Sequence, residues 1–222
     1  MEGAGRSSHA DSTATPEISI VVPIFNESAV LPELQRRLFG VLESACPDHE
    51  IIFVDDGSVD ESPAILLAAA ARNPRVRVLR FSRNFGHQAA VTAGIEHARG
   101  RAVVVIDADL QDPPEIIPER AAKWREGFDV VSAVRTERPG ESAVRLLLIK
   151  VFYRVLKRIA SVDMTPDVGD FRLLDRRVAD ALNRLPERNR YVRGLIRWLG
   201  FRHTEVRYKR AERFAGETKY PY

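Results

Sequence analysis

Five short, mainly apolar runs separated by stretches of helical spacing constrain this chain more than any other feature. The runs are 18–22, 50–54, 75–79, 102–106 and 129–133. Each is too short for a buried helix and is bounded by polar or turn residues, which is the pattern of a strand covered on both faces. The intervening stretches near 29–45, 61–72, 87–98 and 114–126 are predicted helices. Ser28 and Asp60 are placed to cap the first two, and Pro113-Pro114 opens the fourth. Strands alternating with helices predict an α/β fold of Rossmann-like character, with a mostly parallel central sheet flanked by helices. Further on, a strand is expected at 170–174, helices near 175–184 and 190–199, and a strand at 203–209. A chain of 222 residues, 45% hydrophobic, suits one such domain.

Charge divides the chain. Residues 1–134 carry 13 Lys+Arg against 20 Asp+Glu, a net of −7, and residues 135–222 carry 21 against 11, a net of +10. An anionic partner is therefore sought in the second part, although a solvated basic face gives the same imbalance. Residues 17–134 form the expected ligand-binding α/β half, and residues 135–222 complete the same domain. The Ser-, Ala- and Gly-rich residues 1–16 lack an apolar segment and are expected to be a disordered tail. No stretch reaches the roughly 18 apolar residues of a membrane span. Cys46 is the only cysteine, which excludes an internal disulfide and a cysteine-based zinc site.

From 141 to 160 the apolar residues Val144, Leu147, Leu148, Val151, Phe152, Val155, Leu156 and Ile159 keep helical spacing. Arg145, Lys150, Arg154, Lys157 and Arg158 fall on the other side. A basic amphipathic helix of this kind lies on an anionic membrane surface or packs on a core, and periodicity alone does not choose.

In an open parallel sheet, ligands bind beyond the carboxyl ends of the strands. There the sequence offers Pro23-Ile-Phe-Asn-Glu27, Asp55-Asp56-Gly-Ser58, Ser82-Arg-Asn-Phe-Gly-His87, Asp107-Ala-Asp-Leu-Gln-Asp-Pro-Pro114 and Arg135. Four carboxylates from two strand ends thus crowd one edge, which is costly unless a cation or hydrogen-bond donors compensate. Asp107 and Asp109 are alternate residues leaving a strand, a spacing that suits a hard cation such as Mg²⁺ or Mn²⁺ shared with a diphosphate. Asp55 and Asp56 fit either a capped turn or acceptors for a base or ribose. No dinucleotide-binding glycine fingerprint, P-loop or serine triad occurs. The sequon at Asn26 sits at the ligand edge and is discounted.

Four segments together resemble the family-2 inverting glycosyltransferases: Ile20-Val-Val-Pro-Ile-Phe-Asn-Glu27, Val54-Asp-Asp-Gly-Ser58, Arg83-Asn-Phe-Gly-His-Gln88 and Ile106-Asp-Ala-Asp-Leu-Gln-Asp-Pro-Pro-Glu115. Gly169-Asp-Phe-Arg-Leu-Leu-Asp175 and Arg213-Phe-Ala-Gly-Glu-Thr-Lys-Tyr-Pro221 look like the polyprenyl-phosphate branch, which includes dolichol-phosphate mannose synthase and undecaprenyl-phosphate sugar transferases. The resemblance spans about residues 17–221. It implies a glycosyltransferase A-type fold. It implies that Pro23, Phe25, Glu27 and Asp56 contact the nucleotide, and that Asp107, Asp109 and Gln111 surround Mg²⁺ or Mn²⁺. It also implies that Arg135 and Arg145 hold phosphate groups, with Arg172 beside them. Many members of the family continue into two or more membrane helices after the Lys-Tyr-Pro block, whereas this sequence stops at Tyr222. The expected location is the cytoplasmic face of a membrane, held peripherally or by segments outside this sequence.

The implied reaction moves a sugar from a nucleotide-diphosphate sugar to a polyprenyl phosphate with inversion, and nucleic acid is not an expected partner. Asp109 and Arg135 serve the departing diphosphate. Asp170 is either a general base or an orienter of Arg172. The second role is favoured because a phosphate monoester, with a second pKa near about 6, is already largely dianionic. Two other classes are open: a soluble glycosyltransferase acting on a carbohydrate or protein, and a non-catalytic nucleotide-sugar or nucleic-acid binding module.

Overall fold

A computed structural model describes residues 15–135, 168–187 and 190–208. The candidate amphipathic helix at 141–160 and the segment after 208 lie outside the described residues. The first strand, β1 (Ile18–Ile24), is buried along its whole length, as is β2 (His49–Asp55). They pair in parallel with each other, β2 pairs with β3 (Val76–Arg80), and β1 pairs with β4 (Ala102–Val105). Between them run α1 (Leu31–Ala45), α2 (Ser62–Arg72) and α3 (His87–His97). A short 3₁₀ turn at Pro114–Ile116 leads into α4 (Ile117–Arg125), where the Pro-Pro pair is expected to open the fourth helix.

The rest of the sheet departs from simple winding. β5 (Val130–Arg135) does not pair with β4. Instead β6 (Val168–Asp175) lies antiparallel between them, and β7 (His203–Tyr208) extends β5 in parallel. The described sheet therefore has the order β3-β2-β1-β4-β6-β5-β7. Helices α5 (Arg176–Asn183) and α6 (Val192–Trp198) follow β6. Because β6 runs backwards, its amino end lies beside the carboxyl ends of β4 and β5: Val105 pairs with Arg172 and Ala102 with Asp175. Residues just inside the start of β6 thus join the ligand-binding edge.

Two apolar layers hold the sheet. On one side Leu31, Leu34, Leu38 and Leu42 of α1 pack with Ile20, Phe53, Val104, Phe171 and Leu173. On the other, Ala90, Val91 and Ile95 of α3 pack with Val21, Val54, Val105 and Val178. Each of these leucines is fully buried, so truncating one to alanine costs about 2–5 kcal/mol. Gly94 lets α3 approach β1, since a Cβ there would stand 2.1 Å from Val21 Cγ1.

Ser28 does not cap α1. The helix starts at Leu31, and the Glu27 carbonyl accepts the amides of Val30 and Leu31. The Ser28 amide is taken instead by Asp60 Oδ2 at 3.0 Å, while Asp60 Oδ1 accepts the Ser62 amide at the start of α2. Asp60 thereby serves both chain reversals. Asn26 adds to this stitching: its backbone is left-handed (φ 53), and its Oδ1 accepts the Val59 amide.

Candidate active site

Asp55 ends β2 fully buried. Its Oδ1 accepts the Ser58 amide at 2.9 Å, and Arg80 Nε stands 3.2 Å from Oδ2, an ion pair without hydrogen-bond alignment. Asp56, also buried, accepts the amides of Phe85 and Gly86 at 2.7 and 2.9 Å. The two carboxylates after β2 are thus compensated by donors, and Asp56 fixes the loop before α3. Gly57 makes this possible. Its φ is 73°, and a Cβ would lie 2.4 Å from the Arg83 carbonyl carbon. Pro23 is buried within β1 opposite Val54, and Phe25 and Glu27 emerge half-buried just beyond it.

The second carboxylate pair is treated differently. Asp109 Oδ1 accepts the Gln111 amide at 3.1 Å. Leu110 between them has φ 59°, a strained backbone for leucine, and its side chain is locked in the core. Asp107 joins a group assembled from distant parts of the chain. His87, the first residue of α3, brings Nε2 to 3.2 Å from Asp170 Oδ2 and 3.6 Å from Asp107 Oδ1. Arg193 of α6 grips Asp170 with both ends of its fork, Nε to Oδ1 at 2.6 Å and Nη2 to Oδ2 at 2.5 Å. Arg172, buried one pleat further along β6, is 3.9 Å from Asp170 Oδ1. Arg193, not Arg172, is therefore the main partner of Asp170. Arg135 closes β5, and Arg145 lies outside the described residues.

Electrostatics follow from this geometry. Burial opposes ionisation of Asp170, but hydrogen bonds from Arg193 and His87 outweigh it and hold the carboxyl well below the usual carboxylate range. Burial also disfavours the imidazolium of His87, yet Asp170 and Asp107 hold its pKa above the ordinary value. Asp107 goes the other way. Burial, with the charges of Asp170, Asp112 and Asp109, raises it to about 6 despite His87. Its side chain is 32% exposed overall, but Oδ1 is enclosed and has no hydrogen-bond partner among the described residues.

This enclosed oxygen is the test of whether a cation fits. One donor atom each from His87, Asp107 and Asp170 lie within 4.8 Å of one another. Both Asp170 oxygens are already held by a guanidinium, which a cation would have to displace. Asp107 offers an oxygen without a hydrogen bond, countered by His87 at 3.6 Å but also near the like charges of Asp170, Asp112 and Asp109, which a divalent cation would relieve. Asp109 and Gln111 lie two and four residues further along the same loop, and Asp109 is outside that group of three. The residues fit a hard cation centred on Asp107.

The sequence by itself assigns no role to His87 or Arg193. His87 falls in the Arg83–Gln88 segment, so its neighbourhood was legible. Arg193 lies inside a predicted helix, and nothing in its local sequence distinguishes it from other surface arginines.

Residues 19–182 match the model of the family described as Glycosyl transferase family 2. An uncharacterized glycosyltransferase of Bacillus subtilis is 52% identical over 92% of this chain and 64% of its own length. The bactoprenol glucosyl transferase of Shigella phage SfV is 40% identical over 92% of this chain and 66% of its own length. The chain thus spans about two thirds of the length of these relatives. Among solved structures, a mannosyltransferase from Pyrobaculum calidifontis, in complex with GDP-Man and Mn²⁺, superposes with a TM-score of 0.60. It covers 88% of this chain and 56% of that one at 20% identity, which supports the glycosyltransferase A-type fold. With its strand order, its carboxylate loop after β4 and these matches together, the chain belongs to glycosyl transferase family 2.

Proposed function

We propose that this chain transfers a sugar from a nucleotide-diphosphate sugar to a polyprenyl phosphate, with inversion at the anomeric carbon and with a divalent cation at the loop after β4. The observation that carries the reading is the enclosed Oδ1 of Asp107 at the carboxyl edge of the sheet, which has no hydrogen bond among the described residues and only His87 Nε2 at 3.6 Å. The bactoprenol glucosyl transferase relative supports the lipid acceptor, and the GDP-Man and Mn²⁺ of the mannosyltransferase structure support the donor class and the metal.

In this reading Asp107, Asp109 and Gln111 would hold Mg²⁺ or Mn²⁺, which would supply positive charge against the departing diphosphate. Pro23, Phe25, Glu27, Asp55 and Asp56 frame the nucleotide, with Asp56 acting partly through the Phe85–Gly86 backbone it grips. Arg135, Arg145 and Arg172 gather phosphate oxygens. An acceptor phosphate oxygen attacks the anomeric carbon as the bond to the diphosphate breaks. Asp170, held ionised by Arg193 and His87, is a weak base. Its role is to fix the positive groups around it, which suits an acceptor that arrives already dianionic. The basic helix expected at 141–160 would bring the domain to an anionic membrane surface, with each basic residue there contributing about 1 kcal/mol. No helix among the described residues is long and apolar enough to cross a membrane.

The test is incorporation of labelled sugar from a nucleotide-sugar panel into undecaprenyl phosphate, with free sugars as competing acceptors, with Mn²⁺ and with chelator. Lipid-linked product is expected only with metal. Asp109→Ala should lower turnover by about 100-fold or more while the protein stays folded. Transfer to free sugars but not to the lipid phosphate refutes the acceptor, and wild-type turnover in Asp109→Ala refutes the site.

A further inference from the structure

Behind the carboxylate loop lies a second charged cluster that the proposed chemistry does not use. Arg120 of α4 is fully buried, and its Nε, Nη1 and Nη2 have no hydrogen-bond partner among the described residues. Its Cζ stands 3.2 Å over the Phe171 ring. Asp112, 1% exposed, ends the loop that begins at Asp107, and its Oδ1 accepts a hydrogen bond from the Tyr208 hydroxyl at the end of β7. The Phe171 and Tyr208 rings meet edge to face at 6.4 Å. Burying a guanidinium without partners is costly, and a nearby opposite charge is the usual compensation. The charge of Asp112 supplies it, countering the burial that pushes Arg120 down to about 9.

Placement gives this cluster its meaning. Phe171 sits between Asp170 and Arg172 along β6, so side-chain alternation sends it to the opposite face of the sheet from Asp170. The loop 107–112 therefore straddles the end of the sheet. Asp107 lies on one side with His87. Asp112 lies on the other, tied to β7. Leu110, between them, holds an unfavourable left-handed backbone that persists only when its surroundings fix it. The Asp109–Gln111 bond fixes it locally, and Asp112 fixes the far end.

We propose that Asp112, hydrogen-bonded to Tyr208 and backed by the Arg120 charge, is a positioning residue that anchors loop 107–112 for a nucleoside diphosphate and its divalent cation. The inference rests on the donor-site reading of Asp107 and Asp109, and does not depend on the acceptor.

The test is calorimetric titration of GDP and of UDP, each with Mn²⁺, into wild type, Tyr208→Phe, Asp112→Asn, Arg120→Met and Asp107→Asn, with melting temperatures measured alongside. Tyr208→Phe and Asp112→Asn should each weaken nucleotide binding by about tenfold, as loss of a hydrogen bond to a charged group allows. The donor KM should rise more than kcat falls. Arg120→Met should act in the same direction, and adding Asp112→Asn to it should cost less than the two single changes combined, because the uncharged amide needs no counter-charge. A purely structural cluster lowers the melting temperature and leaves the Kd of the folded protein unchanged. That result in both Tyr208→Phe and Asp112→Asn, with binding lost in Asp107→Asn, overturns the inference alone. Wild-type binding in Asp107→Asn removes the donor-site reading and the inference together.

Discussion

Arg193→Met isolates the interaction on which the assembly of the site most depends. The substitution keeps the aliphatic stem and deletes both bonds of the fork on Asp170, at 2.6 and 2.5 Å. The carboxylate left behind is only 8% exposed and retains His87 at 3.2 Å and Arg172 at 3.9 Å. Removing one member of a fully buried pair costs about 3–5 kcal/mol. Arg193 is 41% exposed, so water screens part of the attraction, and the two remaining cations recover more. About 2 kcal/mol of stability should be lost. For a chain of 222 residues that lowers the melting temperature by about 4–8 °C. Arg193→Lys should fall between, since a point charge does not reproduce the fork. Thermal unfolding at neutral pH checks this, with Asp170→Asn and the double variant closing the cycle. The double variant should lose less than the two single changes combined by about 1 kcal/mol or more. A melting temperature within about 1 °C of wild type in Arg193→Met refutes the reasoning.

Asp56→Ala frees the amides of Phe85 and Gly86, so the donor KM should rise more than kcat falls; steady-state kinetics at saturating metal decides, and a loss confined to kcat contradicts it. Gly57→Ala forces a Cβ to 2.4 Å from the Arg83 backbone at φ 73° and should destabilise by about 2 kcal/mol or more in denaturant titration. Asp60 supplies a pH signature. Burial opposes its ionisation, but donors on Ser62 and Ser28 prevail and bring its pKa to about 2. Its contribution is therefore complete above an unfolded-state pKa of about 3.9 and is lost as pH falls through the folded value, amounting after solvent screening to about 1 kcal/mol. Asp60→Asn should lower stability at pH 7 and flatten the acid limb of the stability curve; an unchanged acid limb counts against the assignment.

The first four strands and the loops that leave them were legible because buried parallel strands announce themselves as apolar runs, and ligands gather at their carboxyl ends. Neighbour relations were not legible. Nothing in Val168–Asp175 says that it inserts antiparallel between β4 and β5, yet that insertion brings Asp170 to Asp107. His87 and Asp170 are 83 positions apart and meet only through tertiary packing, as do Arg193 and Asp170. Ser28 does not cap α1 because the helix begins only at Leu31, after a turn closed by the Glu27 carbonyl. That turn is held from outside by Asp60, a residue of the next crossover, which local propensity has no means of registering.

The backward strand also sets a schedule for biosynthesis. β5 leaves the ribosome well before β6, yet among the described strands its only partners are β6 and β7, both made later. During that interval β4 is paired on one side only, with β1, and β5 lacks both of its native neighbours. A nascent chain ending before Val168 therefore lacks the native cover for one edge of β4 and for both edges of β5, a state in which elongating α/β proteins readily engage chaperones or one another. Closure comes from the middle of the sheet outward, once Val168–Asp175 has emerged and docked against β4.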